Sequence, residues 1–330
     1  MRSVVLPVGG GSDDGIRAHW LPMDIAEEFV AREVVFAWLR ARMLVTPTFS
    51  RADLASVAVG GKSMRLVGTQ TGIWKPQWMG AALSILTGYY RSDGKRRYQD
   101  GWGADELFRY KWRGTDGNLA DNRWLRDAMT AGLPLVWFLG IGYAPGTSTQ
   151  VFQPVFPVWL IAEEPEEHQF VVALEESQRG LAAGGRLRVG DIERRYNHTL
   201  AVQRLHQPLF RARVLHAYLQ RCAVCRLPFE KLLDAAHIRA DADGGEPAVA
   251  NGLALCKIHH GAFDANILGI TPDYVVRIQE SVLDTFDGPT LQHALKAMHG
   301  ESLRQLPARP NDRPNRDLLE ERYQRFRLAG

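Results

Sequence analysis

The stretch NGLALCKIHHGAFD, residues 251–264, sets an asparagine, a cysteine, two adjacent histidines and an aspartate within one strand-turn-helix length. The chain has three cysteines, Cys222, Cys225 and Cys256. CAVC is Cys-x-x-Cys, and Cys256 is followed at the same interval by His259, so two knuckles supply four ligands suited to a tetrahedral structural zinc. Three buried cysteines acting as small hydrophobes, a redox Cys-x-x-Cys and a Cys-His nucleophile are the alternatives. With His259 closing the zinc site, His260 is free to turn the other way. Asp264 lies one helical turn on and on the same face, so His260 and Asp264 can chelate a second ion.

Working outward, LLDAAHI reads as a short strand carrying Asp234 and His237, and Asn251 follows His237 by 14 residues. The order His237, Asn251, His260 is interleaved with the cysteines. CAVC, LDAAHI, NGLALCKIHH and FD together resemble the HNH, or ββα-metal, nucleases, in the branch built around a zinc-stapled hairpin and helix. RLHQPLFRARVLHAY before them and LPARPNDRPNRDLLEERYQRFR after them are similar to that branch as found in bacterial restriction endonucleases. The resemblance spans about 197–330. It implies that His237 is the general base for an attacking water, that His260 with Asp264 holds one Mg²⁺ or Mn²⁺ against the scissile phosphate, and that Asn251 orients the histidine-bearing loop. The residue before the general base is often a metal ligand in this family. Here it is Ala236, and Asp234 is the substitute to consider.

The 330 residues are long enough for two domains. Hydrophobic content of 45% with 23% charged residues is ordinary globular composition, and no apolar run is long enough to span a bilayer. The opening MRSVVLPVGGGSDDG is a poor match to a signal peptide, and three cysteines argue against a disulfide-stapled secreted fold. Both point to the cytoplasm, and the likeness to restriction endonucleases implies a bacterial one. The net charge of +3 permits an anionic partner without demanding one.

From Asp24, DIAEEFVAREVVFAWLRARM predicts a helix of about five turns, with Asp24 and Glu27 spaced as a capping box. The stretches SMRLVGTQTGIW, AALSILTGYY, LPLVWFLGIGY and PVFPVWLIAE read as strands of a curved antiparallel sheet or barrel, with a helix in LADNRWLRDAMTAG closed by Gly132. Polar, glycine-containing EESQRGLAAGGRLRVGD follows. These features divide the chain into an N-terminal α+β domain over 1–175, a linker over 176–196 and a C-terminal domain over 197–330.

In the first domain, GIWKP at 72–76 and SILTGYYRSD at 84–93 resemble loops of SRA domains, PUA-like β-barrels that bind 5-methylcytosine or related bases by flipping them from the duplex. The likeness covers about 55–162. It implies a base pocket with Tyr90 and Tyr110 as aromatic walls and Asp93 reading an exocyclic amine. Trp74, Lys75, Gln77 and Trp78 lie on a loop that could enter the duplex, and Arg91, Lys95, Arg96 and Arg97 are either phosphate contacts or a solvated hairpin tip. The chain departs from the family pattern at Tyr89, which stands for a glycine, and at Tyr110-Lys111-Trp112.

The combined expectation is an α+β protein with an SRA-like reader and an HNH cutter. Its partner would be double-stranded DNA carrying 5-methylcytosine or 5-hydroxymethylcytosine. Cutting both strands implies at least a transient homodimer, formed on DNA or before it. The rivals are an HNH enzyme triggered by another modification or by unmodified sequence, and a non-catalytic zinc-containing DNA reader.

Overall fold

The computed structural model describes residues 23–59, 62–89, 100–103, 107–176, 178, 207–286 and 288–329. The chain divides between positions 205 and 206 into two compact units. Tyr90, Asp93, Arg91, Lys95, Arg96 and Arg97 lie outside the described residues.

The first unit opens with helix α1 (Ile25–Met43). Asp24 accepts from the Glu27 backbone and Glu27 returns the bond, the reciprocal capping box its spacing predicts. The inner face of α1 buries Val35, Phe36 and Leu39 against the sheet. Buried Arg32 ties that face down by donating to the carbonyls of Ala82 and Pro134 and pairing with Glu28 at 2.7 Å. The sheet curls into a half-barrel in the order β4 (Ile73–Trp74), β5 (Ser84–Thr87), β8 (Leu135–Tyr143), β9 (Gln150–Glu164), β10 (Gln169–Ala173), β7 (Phe108–Lys111), β6 (Gly101–Trp102). Strand β1 (Phe49–Ser50) adds to β9, and β2 (Val57–Val59) with β3 (Lys62–Met64) makes a separate hairpin.

The expected antiparallel sheet needs one correction: β5 and β8 are parallel. Helix α2 (Ala120–Thr130) lies between them in sequence, and a crossover of that kind is what brings two strands side by side in the same direction. Gly132 takes the left-handed conformation after α2, at φ 63°.

The second unit starts with helix α3 over 207–217. Next comes an antiparallel hairpin of β11 (Leu233–His237) and β12 (Gly252–Cys256), then helix α4 (Lys257–Asp264). A second hairpin, β13 (Leu268–Ile270) with β14 (Val276–Ile278), is followed by short helix α5 (Glu280–Asp284) and by α6 (Arg316–Leu328). Two strands and a helix therefore carry residues 233–264, with one core formed by Val214, Leu215, Tyr218, Leu233, Leu253, Leu255 and Phe263. Every residue of β12 is buried, because α3 and α4 both pack on the hairpin.

Candidate functional site

The two knuckles meet. Ligand atoms of Cys222, Cys225, Cys256 and His259 all lie within 4.8 Å of one another. His259 Nδ1 is 3.1 Å from Cys256 Sγ and 3.5 Å from Cys222 Sγ, and Cys225 Sγ is 4.0 Å from Cys256 Sγ. The other ring nitrogen, Nε2, donates to the Ala294 carbonyl at 2.7 Å, which fixes the ring with Nδ1 turned toward the sulfurs. Arg226 turns the first knuckle in the left-handed region at φ 62°, and its N–H donates to the Cys222 carbonyl. Burial opposes charge on His259, yet the hydrogen bonds its ring donates toward the sulfurs of Cys225 and Cys256 outweigh this and raise its pKa to about 10. A cluster that draws a cation onto its imidazole suits a divalent cation, and three sulfurs with one nitrogen form a donor set fitted to zinc.

His260, next in sequence, faces away from the cluster. Its Nε2 is 3.2 Å from Asp264 Oδ2, and its Nδ1 is 3.5 Å from Asp234 Oδ2. Helical spacing brings Asp264 there. Strand pairing brings Asp234, since Asp234 sits opposite Leu255 and two residues short of the start of α4. Asp234 Oδ2 also pairs with Lys257, and Arg211 Nε stands 3.8 Å from Oδ1. Burial alone would raise the Asp234 carboxyl, but Lys257 and then His260 outweigh it and hold it below the usual value.

His237 ends β11, half-buried, with its ring stacked on Phe210 of α3. Burial lowers its pKa from the ordinary 6.5; the Asp241 charge opposes this and the His260 charge adds to it. Asn251 is buried and fully engaged. Its Oδ1 accepts from Arg239 N at 2.9 Å, and its Nδ2 donates to the carbonyls of Arg239 at 3.0 Å and Glu246 at 2.9 Å. It therefore closes the loop that leaves His237 and returns to β12. Ion pairs of Arg239 with Glu321 and of Arg325 with Asp243 join that loop to α6. Phe210, Lys257 and Arg211 were not singled out by sequence reasoning, because each acts through a partner distant in the chain.

In the first unit Tyr110 lines a cavity of about 560 Å³ together with Arg51, Gly72, Asp100, Lys111 and Gln150. The Tyr110 hydroxyl donates to the Gly72 carbonyl at 3.0 Å. A Cβ on Gly72 would come within 2.8 Å of that hydroxyl, which explains the glycine that opens GIWKP. The other residues of that loop are placed differently from one another. Trp74 Nε1 donates to the Arg65 carbonyl, Lys75 Nζ donates to the Met79 carbonyl at 2.6 Å, and Trp78 packs against the core. Gln77 is the exposed member.

Residues 222–271 match the family model of the HNH endonucleases. No curated protein matches the chain in sequence. Several solved structures are similar to it, two of them restriction endonucleases. One, "Modification dependent TagI restriction endonuclease", is 19% identical over 78% of this chain and 86% of that one, at a TM-score of 0.27. The other, the "Type IV phosphorothioation-dependent restriction endonuclease ScoMcrA", is 14% identical over 65% of this chain and 54% of that one, at a TM-score of 0.24. Superpositions this loose assign neither fold nor activity. Among the described residues no helix is long and apolar enough to cross a membrane. The family match falls on the hairpin, the helix and the Cys/His cluster: this is an HNH endonuclease domain, and the chain that carries it is a nuclease.

Proposed function

We propose that the chain is a modification-dependent DNA endonuclease of the bacterial cytoplasm, restricting phage or foreign DNA. In this reading residues 1–175 are an SRA-like reader that flips a modified cytosine, 5-methylcytosine or 5-hydroxymethylcytosine. Residues 176–196 are a linker, and residues 197–330 are the cutter. The observation that carries the reading is the convergence of His237, Asp234, His260 and Asp264 on one hairpin and helix inside the HNH match.

Hydrolysis then runs as follows. A water oxygen attacks phosphorus, its proton passes to a nitrogen of His237, and the bond to the leaving ester oxygen breaks to give an alcohol and a phosphate monoester. Low basicity at His237 keeps the ring neutral and ready to accept. His260 and Asp264 would hold Mg²⁺ or Mn²⁺, which when bound supplies Lewis-acid stabilisation of charge on the phosphate and leaving oxygen. Asp234, already engaged by Lys257, orients His260 through Nδ1. Asn251 holds the loop and exchanges no proton. Cys222, Cys225, Cys256 and His259 would hold a structural zinc, which when bound would staple the hairpin to the chain before it.

The Tyr110 cavity supports the reader. It is lined by aromatic and polar groups, including Tyr110, Trp112, Asp100 and Gln150, as a flipped base needs. Cutting two strands with one such centre per chain calls for a homodimer on DNA. The test of the reader is binding of the full-length His237→Ala chain to matched duplexes carrying cytosine, 5-methylcytosine or 5-hydroxymethylcytosine, followed by fluorescence anisotropy. Tighter binding to one modified duplex is expected. Equal binding to all three would remove the cytosine reader and leave the nuclease.

A further inference from the structure

The imidazole of His237 lies flat against the ring of Phe210, with centroids 3.9 Å apart and planes 10° apart. Phe210 is 3% exposed and belongs to α3, four residues before Val214. The position opposite His237 across the hairpin is Gly252. A Cβ on Gly252 would come within 2.4 Å of Val214 Cγ2 and 2.9 Å of Phe210 Cζ. Its φ is −129°, so the glycine is there for space and not for an unusual backbone. The missing side chain lets α3 close over the end of the hairpin and press an aromatic face onto the histidine.

We propose that Phe210 is a positioning residue for cleavage: it walls one face of His237, fixing the rotation of the imidazole so that a nitrogen edge meets the attacking water. This rests on the general-base reading of His237. The torsion that turns a histidine ring is broad and soft, so an imidazole held only by its backbone samples many orientations. A general base has to stand within hydrogen-bond reach of the proton it takes, and small misplacements are costly. A flat stack removes that freedom and leaves both nitrogens, which lie in the ring plane, unobstructed. Gly252 acts one step further back, by admitting Phe210.

The test uses the full-length chain with histidine rings labelled with ¹³C and ¹⁵N, the His237 signal being assigned by its loss in His237→Ala. The stack displaces the His237 ring protons upfield in the wild type and in Phe210→Tyr, and Phe210→Leu abolishes that displacement. In parallel, nicking of a supercoiled plasmid bearing 5-methylcytosine is followed with Mn²⁺. Phe210→Leu is expected to lower kcat by about 10- to 100-fold with KM nearly unchanged, while Phe210→Tyr stays within about threefold of wild type. Zinc content reports whether each variant is folded. If Phe210→Leu loses zinc, Phe210→Met, which keeps more of the volume without the ring, takes its place. An unchanged His237 signal in the ring-less variant, or nicking at the wild-type rate while His237→Ala is inactive, would overturn the role of Phe210. Nicking by His237→Ala at the wild-type rate would instead overturn the general-base reading.

Discussion

His237 must be neutral to accept a proton, and its surroundings disfavour the charged form. Burial against Phe210 is the larger cause, and the neighbouring His260 acts in the same direction. The sign follows: a histidine with lowered pKa stays neutral to more acid pH. The acid limb of kcat should therefore have its midpoint below 6.5, the ordinary histidine value. A divalent cation at His260 pushes it the same way. A midpoint above 7 in a pH–rate profile would contradict this account of the base. Asn251 makes a different prediction. Asn251→Ala would strand the N–H and carbonyl of Arg239 and the carbonyl of Glu246, so it should cost about 2–4 kcal/mol in a denaturant melt of the C-terminal unit. The soft donors and the His-Asn-His order were legible because their chemistry depends on spacing along the chain. Phe210 and Gly252 were not, because a stack across a helix and a hairpin leaves no local pattern. Lys257 was hidden for the same reason: its partner Asp234 is paired to it only through the strand register.

At the scale of elements, the HNH hairpin is short, five residues to a strand, and its buried side chains share a core with α3 and α4. The cluster of Cys222, Cys225, Cys256 and His259 joins the turn after α3 to the end of β12 and the start of α4, and a zinc ion there would tie these three pieces together. Structural zinc contributes about 10 kcal/mol or more in small sites of this kind. Removal of zinc by a chelator, or Cys225→Ser, should therefore unfold the C-terminal unit. All nine tryptophans precede residue 206, so their fluorescence reports the N-terminal unit alone. Chelation is expected to remove hydrogen-exchange protection from β11 and β12 while leaving that fluorescence unchanged. Protection that survives in zinc-free protein would show the staple to be dispensable. The helices α1 and α2 were readable from their capping residues, and β8 from its apolar run. The parallel pairing of β5 with β8 was not, since strand direction depends on what the intervening helix does. The β13–β14 hairpin, only three residues to a strand, is too short to show alternation.

For the whole molecule, the chain divides into two units, and in the proposed function the first would read DNA and the second cut it. The cutter was legible because its residues carry chemistry. The reader rests on a looser likeness, and several of its expected contacts, Tyr90, Asp93 and the run Arg91, Lys95, Arg96 and Arg97, lie outside the described residues. Trp74 and Lys75 are committed to bonds within the unit, which leaves Gln77 as the exposed member of its loop. In the proposed function, recognition of a modified base would therefore fall to the cavity around Tyr110 more than to the loop. The most direct measurement is cleavage of otherwise identical duplexes carrying cytosine, 5-methylcytosine or 5-hydroxymethylcytosine, with Mg²⁺ or Mn²⁺, by wild type and His237→Ala. The account expects wild type to cut a modified duplex and spare the unmodified one, and His237→Ala to cut none. Equal cutting of all three by wild type, or cutting by His237→Ala, would contradict it.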